Sequence, residues 1–203
     1  MSSPRPGVRR LKTVESQISV IAGAARGLSL SMPGDGAVRP TIGRAREALF
    51  ASLGPLEGCR FWDLFAGSGA NGCEAASRGA GEVILVERDP GHCRVIEENL
   101  RRVAACGARG VCQVVRSGCE EFVAGRHPAP GVVFSDPPYA ESAKLFGRIA
   151  PLLVRDYPGA VVIWEVPGRL GAAGEFLEAG ASEMGFRLES RGGTGFLVRK
   201  CAG

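Results

Sequence analysis

The chain of 203 residues has no C-x-x-C pair. Its seven cysteines, Cys59, Cys73, Cys93, Cys106, Cys112, Cys119 and Cys201, stand singly and are odd in number. Finger- and ribbon-type zinc spacing is therefore excluded, and isolated thiols in a chain that is 45% hydrophobic point to a reducing cytoplasm rather than a disulfide framework. Histidine is equally scarce: His92 and His127 are the only two, so neither a metal centre nor a Ser-His-Asp triad is expected, and both are placed on the surface. No apolar run reaches the ~18 residues that cross a bilayer. Met1 to Lys12 is basic but lacks the apolar stretch of a secretory signal, so no membrane partner is expected.

What charge there is lies unevenly. Residues 1–60 hold nine basic side chains against four acidic ones, and the remaining residues hold sixteen against seventeen. The whole basic excess, net +5, thus sits in the N-terminal third. Such a distribution suits a polyanion-binding extension on a near-neutral domain. The length and hydrophobic content allow one well-cored domain with an extension, and a monomer is expected.

Residues 19–23 and 27–32 read as two short strands joined by a turn carrying Arg26. Thr41 follows Pro40 as an N-cap, and residues 43–53 read as a helix with Ala45, Ala48, Leu49 and Leu53 on one face. Arg39, Arg44 and Arg46 cluster at its entrance, where a helix N-terminus can help grip phosphates. From Arg60 the pattern alternates. Strands are expected at 60–65, 82–87, 111–116, 131–135 and 160–165, with helices at 70–79, 90–105, 118–125, 141–155 and 172–181. Apolar runs such as Val83-Ile84-Leu85-Val86 suit parallel strands covered on both faces. The tail carries a Gly192-Gly193 turn between Phe186–Ser190 and Phe196–Val198, which predicts an antiparallel hairpin.

Two loops carry chemistry. Asp63-Leu64-Phe65-Ala66-Gly67-Ser68-Gly69 ends one strand and opens a helix, and Glu87 ends the next strand eighteen residues after Gly69, where an acid accepts from ribose hydroxyls. The loop is read as a two-glycine turn with Cys73 or Glu74 near the third position, which counts against a dinucleotide. Asp63 would repel a pyrophosphate but suits a cationic amino-acid-bearing ligand, and S-adenosylmethionine fits that description. The second loop is Asp136-Pro137-Pro138-Tyr139. Prolines without N–H groups stiffen it and aim its carbonyls outward beside one carboxylate and a phenol ring. No cysteine stands in this loop, which argues against a covalent ring-carbon mechanism.

These motifs, with Arg39-Pro40-Thr41, Arg44 and Arg46-Glu47-Ala48-Leu49-Phe50, resemble the RsmD family of guanine-N2 methyltransferases acting on 16S ribosomal RNA. The resemblance runs from about Ile18 to Lys200. It implies an α/β, Rossmann-like class I methyltransferase with a mostly parallel seven-stranded sheet, a C-terminal antiparallel hairpin and a small N-terminal hairpin-and-helix extension. Residues 1–17 would form a flexible basic terminus, 18–56 the RNA-binding extension and 57–203 the catalytic domain. The implied cofactor site comprises Asp63, Phe65, Ala66, Gly67, Ser68, Gly69, Glu87, Arg88, Ser117, Gly118 and Cys119. The implied catalytic residues are Asp136, Pro137, Pro138 and Tyr139, and the RNA contacts Arg26, Arg39, Thr41, Arg44 and Arg46. The partner would be 16S rRNA within a 30S subunit, with no metal. The chain departs from the family pattern at Leu28, where a basic residue usually follows Arg26-Gly27, and at Gly118, where a side chain often meets adenine. The same D-P-P-Y loop also serves adenine-N6 methylation of DNA and glutamine methylation of protein, and a non-catalytic RNA-binding module is the alternative outside the enzymes.

Overall fold

The computed structural model describes residues 14–34, 43–166, 176 and 180–200. Nine strands are named in chain order: β1 (Val14–Ser19), β2 (Ser29–Met32), β3 (Arg60–Asp63), β4 (Glu82–Glu87), β5 (Val111–Arg116), β6 (Val132–Ser135), β7 (Val161–Val166), β8 (Arg187–Arg191) and β9 (Thr194–Arg199). Among the described residues, five named helices join them: α1 (Gly43–Leu53), α2 (Ala70–Ser77), α3 (Pro90–Ala105), α4 (Cys119–Ala124) and α5 (Ser142–Asp156). Strands β3 to β9 form one seven-stranded sheet in the order β5-β4-β3-β6-β7-β9-β8. The five strands β3 to β7 pair in parallel, while β9 runs antiparallel to both β7 and β8. The expected mostly parallel sheet with a terminal hairpin is what the chain forms.

The parallel strands are apolar on both faces because helices cover both. Alternate residues therefore enter opposite cores. Phe61, Val83, Leu85 and Phe134 pack with Ile96, Leu49 and Phe50 on one side. Trp62, Ile84, Val86, Val133 and Trp164 pack with Phe122 and Phe146 on the other. Phe146 of α5 meets Trp164, Phe176 and Phe186 edge-on at 5.1–5.5 Å between ring centroids. From β3 the chain runs outward through β4 to β5, then crosses back to β6 on the other flank of β3. The carboxyl ends of β3 and β6 thus bound a topological switch point, where open α/β sheets bind ligands.

The N-terminal hairpin differs from its sequence reading. Its first strand is residues 14–19 rather than 19–23, and pairs Ser19 with Ser29 after an irregular register. Residues 21–25 leave the ladder because helix α2 captures their backbone. Glu74 accepts from the Ile21 and Ala22 N–H groups at 2.7 and 3.1 Å. Ala24 donates to the Ser77 carbonyl at 2.8 Å and Ala25 to the Ser77 hydroxyl at 2.9 Å. Gly23, at φ 83°, lies so close that a Cβ would sit 1.9 Å from the Ser77 carbonyl oxygen. Helix α1 is rotated from expectation as well: it buries Ala45, Arg46, Leu49 and Phe50. The helix expected at 172–181 falls largely outside the described residues.

Candidate active site

The turn after β3 is built by backbone bonds between neighbouring strands. Leu64 donates to the Phe134 carbonyl at 2.9 Å and Ala66 to the Val86 carbonyl at 3.0 Å. Gly67 and Gly69 have φ of 55° and 78°, a region that glycine enters without steric cost. Gly69 then caps α2, and its N–H returns to the Ala66 carbonyl. The two-glycine reading of this turn is corrected by Gly72. It completes a G-x-G-x-x-G spacing, and a Cβ there would lie 2.4 Å from Leu85 Cδ2, so it lets α2 lie close on β4. Asp63 alone then stands against a dinucleotide.

Asp63 ends β3, 1% exposed, with neither carboxylate oxygen in a full hydrogen bond. Burial pushes its pKa up to about 7; the Asp136 charge pushes the same way, and the Phe65 and Gly72 N–H groups only partly offset both. Glu87, at the end of β4, is fixed between the Gly67 and Asp89 N–H groups, each at 2.9 Å. Asp89 caps α3 by accepting from Gly91 and His92 at 2.6 and 2.9 Å. These bonds hold the turn and the Glu87 carboxylate as one rigid piece.

A cavity of about 950 Å³ opens over this edge. Its wall brings together Phe65, Gly67, Glu87, Arg88, Ser117, Gly118, Cys119, Asp136, Pro137, Pro138 and Tyr139, all named from sequence. Asp63, Ala66, Ser68 and Gly69 are not in its wall; Asp63, Ala66 and Ser68 are each at most 7% exposed and underlie the turn. Reasoning from sequence missed Leu64, Val86, His92, Glu121 and Leu145, which also line it. His92, expected on the surface, instead holds its ring 3.8 Å from Glu87, and its signal was its place in the first turn after Asp89-Pro90. His127, expected there too, is half-buried and stacks on Phe122 at 4.0 Å. Glu121 accepts from the Ser117 hydroxyl at 2.8 Å. Gly118 leaves open space where a side chain would stand.

Asp136 follows β6, the neighbour of β3, so both loops face the same cavity. Tyr139, 46% exposed, opens a short 3₁₀ turn at its rim. The Pro138 carbonyl, read as pointing outward unpaired, accepts from the Glu141 N–H at 3.0 Å. Of the arginines, Arg26 and Arg44 are exposed, while Arg39 and Thr41 lie outside the described residues. Arg46 does not reach solvent. It is 3% exposed and donates to the Ser19 carbonyl at 2.5 Å, so it braces the hairpin from inside rather than gripping phosphate.

A family model described as Conserved hypothetical protein 95 matches residues 18–169. Among curated proteins, the chain is 40% identical over 124 residues to the ribosomal RNA small subunit methyltransferase D of Escherichia coli strain K12. That match covers 61% of each chain, less than two thirds of the relative's length. A solved structure of a hypothetical protein from Thermus thermophilus superposes with a TM-score of 0.71 at 30% identity, covering 90% of this chain and 99% of that one. A precorrin-6y C5,15-methyltransferase from Geobacter metallireducens shares the fold at a TM-score of 0.59 and 17% identity, over 82% and 94% of the two chains.

Proposed function

The chain belongs to the family described as Conserved hypothetical protein 95, the RsmD family, and from that premise we propose that it methylates the exocyclic N2 of a guanine in 16S ribosomal RNA with S-adenosylmethionine as donor. The observation that carries this reading is the meeting of the Asp63–Gly69 turn and the Asp136–Tyr139 loop on adjacent strands over one cavity. The residues fit such a donor. The Asp63 carboxylate beneath the turn would, once ionised, suit an α-ammonium group, Gly67 would bring backbone close, and Glu87 keeps acceptor capacity for ribose hydroxyls. Ser117, Gly118 and Cys119 would flank the adenine. When bound, the donor supplies an electrophilic methyl on a sulfonium.

A guanine amine is a weak nucleophile because its lone pair is delocalised into the ring. Asp136 and the Pro137 carbonyl would accept from its two hydrogens and turn the lone pair toward the methyl. Alignment of this kind is worth on the order of 7–11 kcal/mol in well-oriented reactions. As positive charge develops on nitrogen, the Asp136 carboxylate stabilises it. Tyr139, at the rim, would stack on the flipped base for ~1–3 kcal/mol. Residues 18–56 would bring the RNA through Arg26, Arg44 and, beyond the described residues, Arg39 and Thr41.

The test is methyl transfer from labelled donor to 30S subunits taken from cells lacking this activity, with DNA and a protein substrate in parallel. Label on 16S guanine is expected, and Asp136→Ala should abolish it while donor binding stays within about twofold. Label on DNA adenine or protein glutamine instead would replace this reading with one of those substrates.

A further inference from the structure

Asn99 lies in the middle of α3, 0% exposed, and is a polar side chain that the proposed chemistry does not use. Its amide spans two pieces of the molecule. Oδ1 accepts from the Ser31 N–H at 2.8 Å and Nδ2 donates to the Ser31 carbonyl at 2.9 Å, so the side chain pairs with β2 as a strand neighbour would. The same Nδ2 donates to the Ser68 carbonyl at 3.0 Å. Ser68 is the residue between Gly67, whose N–H is held by Glu87, and Gly69, whose N–H is held by Ala66. One buried amide therefore ties the N-terminal hairpin to the turn beneath the donor site, with both its hydrogens committed.

We propose that Asn99 is a positioning residue that couples the donor turn to the N-terminal hairpin, so that donor binding and RNA binding strengthen one another. The inference rests on the methyltransferase reading above. A buried amide cannot shift toward one partner without loosening the other, because an orphaned buried carbonyl is costly. Any tightening of the turn around a donor is then felt at Ser31, and coupling of two sites is reciprocal. The Glu74 contacts to Ile21 and Ala22 hold the same hairpin against α2, which starts at the turn, so the link has a rigid second anchor.

The experiment compares wild type with Asn99→Asp, which keeps the size and the acceptor for Ser31 but loses both donations. Dissociation constants for S-adenosylmethionine are measured with and without saturating unmethylated 30S subunits. Wild type is expected to bind donor at least about fivefold tighter on the subunit. In Asn99→Asp, donor binding should weaken about tenfold and the coupling should fall to less than half of the wild-type value, while Asn99→Ala behaves alike. Retained coupling in a folded variant overturns the proposal. If the variants fail to fold, wild type decides: donor binding should slow amide exchange at Ser31, and unchanged exchange there overturns the link. A wild type that binds no donor would instead refute the methyltransferase reading itself.

Discussion

Asp63 and Arg46 show how burial decides what a charged side chain is for. Asp63 keeps its proton up to about pH 7 because it is buried beside Asp136. Its pKa in the folded chain lies above the ordinary carboxylate value of about 3.9, so the folded state binds that proton more tightly than the unfolded state. Stability from this group is therefore full at low pH and declines as pH rises toward about 7. A ligand ammonium needs the ionised form, so donor affinity should run the other way. Between about pH 5.5 and 7.5, calorimetry should show S-adenosylmethionine binding tighter with rising pH in wild type. In Asp63→Asn the affinity should be weaker and flat, and the melting temperature at pH 8 higher. A flat wild-type profile would remove Asp63 from the donor site. Arg46 and Arg44, two residues apart on α1, should separate by a different pair of measurements. Arg46→Ala should cost about 1.5–3 kcal/mol of stability by urea unfolding, since a buried charged hydrogen bond to Ser19 is lost. Arg44→Ala, at an exposed position, should stay within about 0.5 kcal/mol and act only on RNA binding.

The elements on which the site stands depend on close approach of backbone. Gly72 lets α2 rest on β4, with Leu85 fully buried opposite it. Alanine there would gain roughly 1 kcal/mol of helix propensity. The new methyl would also press on a side chain that has nowhere to go, and overpacking of that kind costs about 1–3 kcal/mol. Gly72→Ala should therefore lower the melting temperature and weaken donor binding together, because α2 carries the turn at its start. Gly23→Ala should be worse for stability, since the methyl meets backbone at a positive φ, yet its first effect should be on the hairpin rather than on the donor. The sheet strands were legible because apolar runs bounded by turn residues have few other solutions. The hairpin was not, because the partners of residues 21–25 are Glu74 and Ser77, more than fifty residues away on α2. Nothing local in a sequence distinguishes Glu74, or Asn99, from an ordinary polar residue facing solvent.

Residues 1–60 carry net charge +5 and the remainder is near neutral, and one hydrophobic core runs from the N-terminal hairpin and α1 into the sheet. Val20, Leu30, Leu49 and Phe50 pack with Phe61, Val83 and Leu85. The cavity and its two loops could be read from sequence because strand ends, glycine turns and prolines mark them locally. The proposed RNA face was only half legible, since net charge tells how many arginines there are but not which ones solvent can reach. Arg46 is the example. Phosphate contacts release counterions, and each contributes about 0.7–0.9 to the slope of log affinity against log salt. With Arg26 and Arg44 exposed, the double variant Arg26→Ala, Arg44→Ala should flatten that slope by about 1–2 when binding to 30S subunits or naked 16S RNA is titrated with salt. Donor affinity without RNA should not change, because neither residue lies in the cavity wall. Arg46→Met, in contrast, should leave the slope of the folded protein as it is, for a charge sealed behind the hairpin releases no counterion. An unaltered slope in the double variant would move the RNA-gripping surface away from these two arginines and onto another part of the chain.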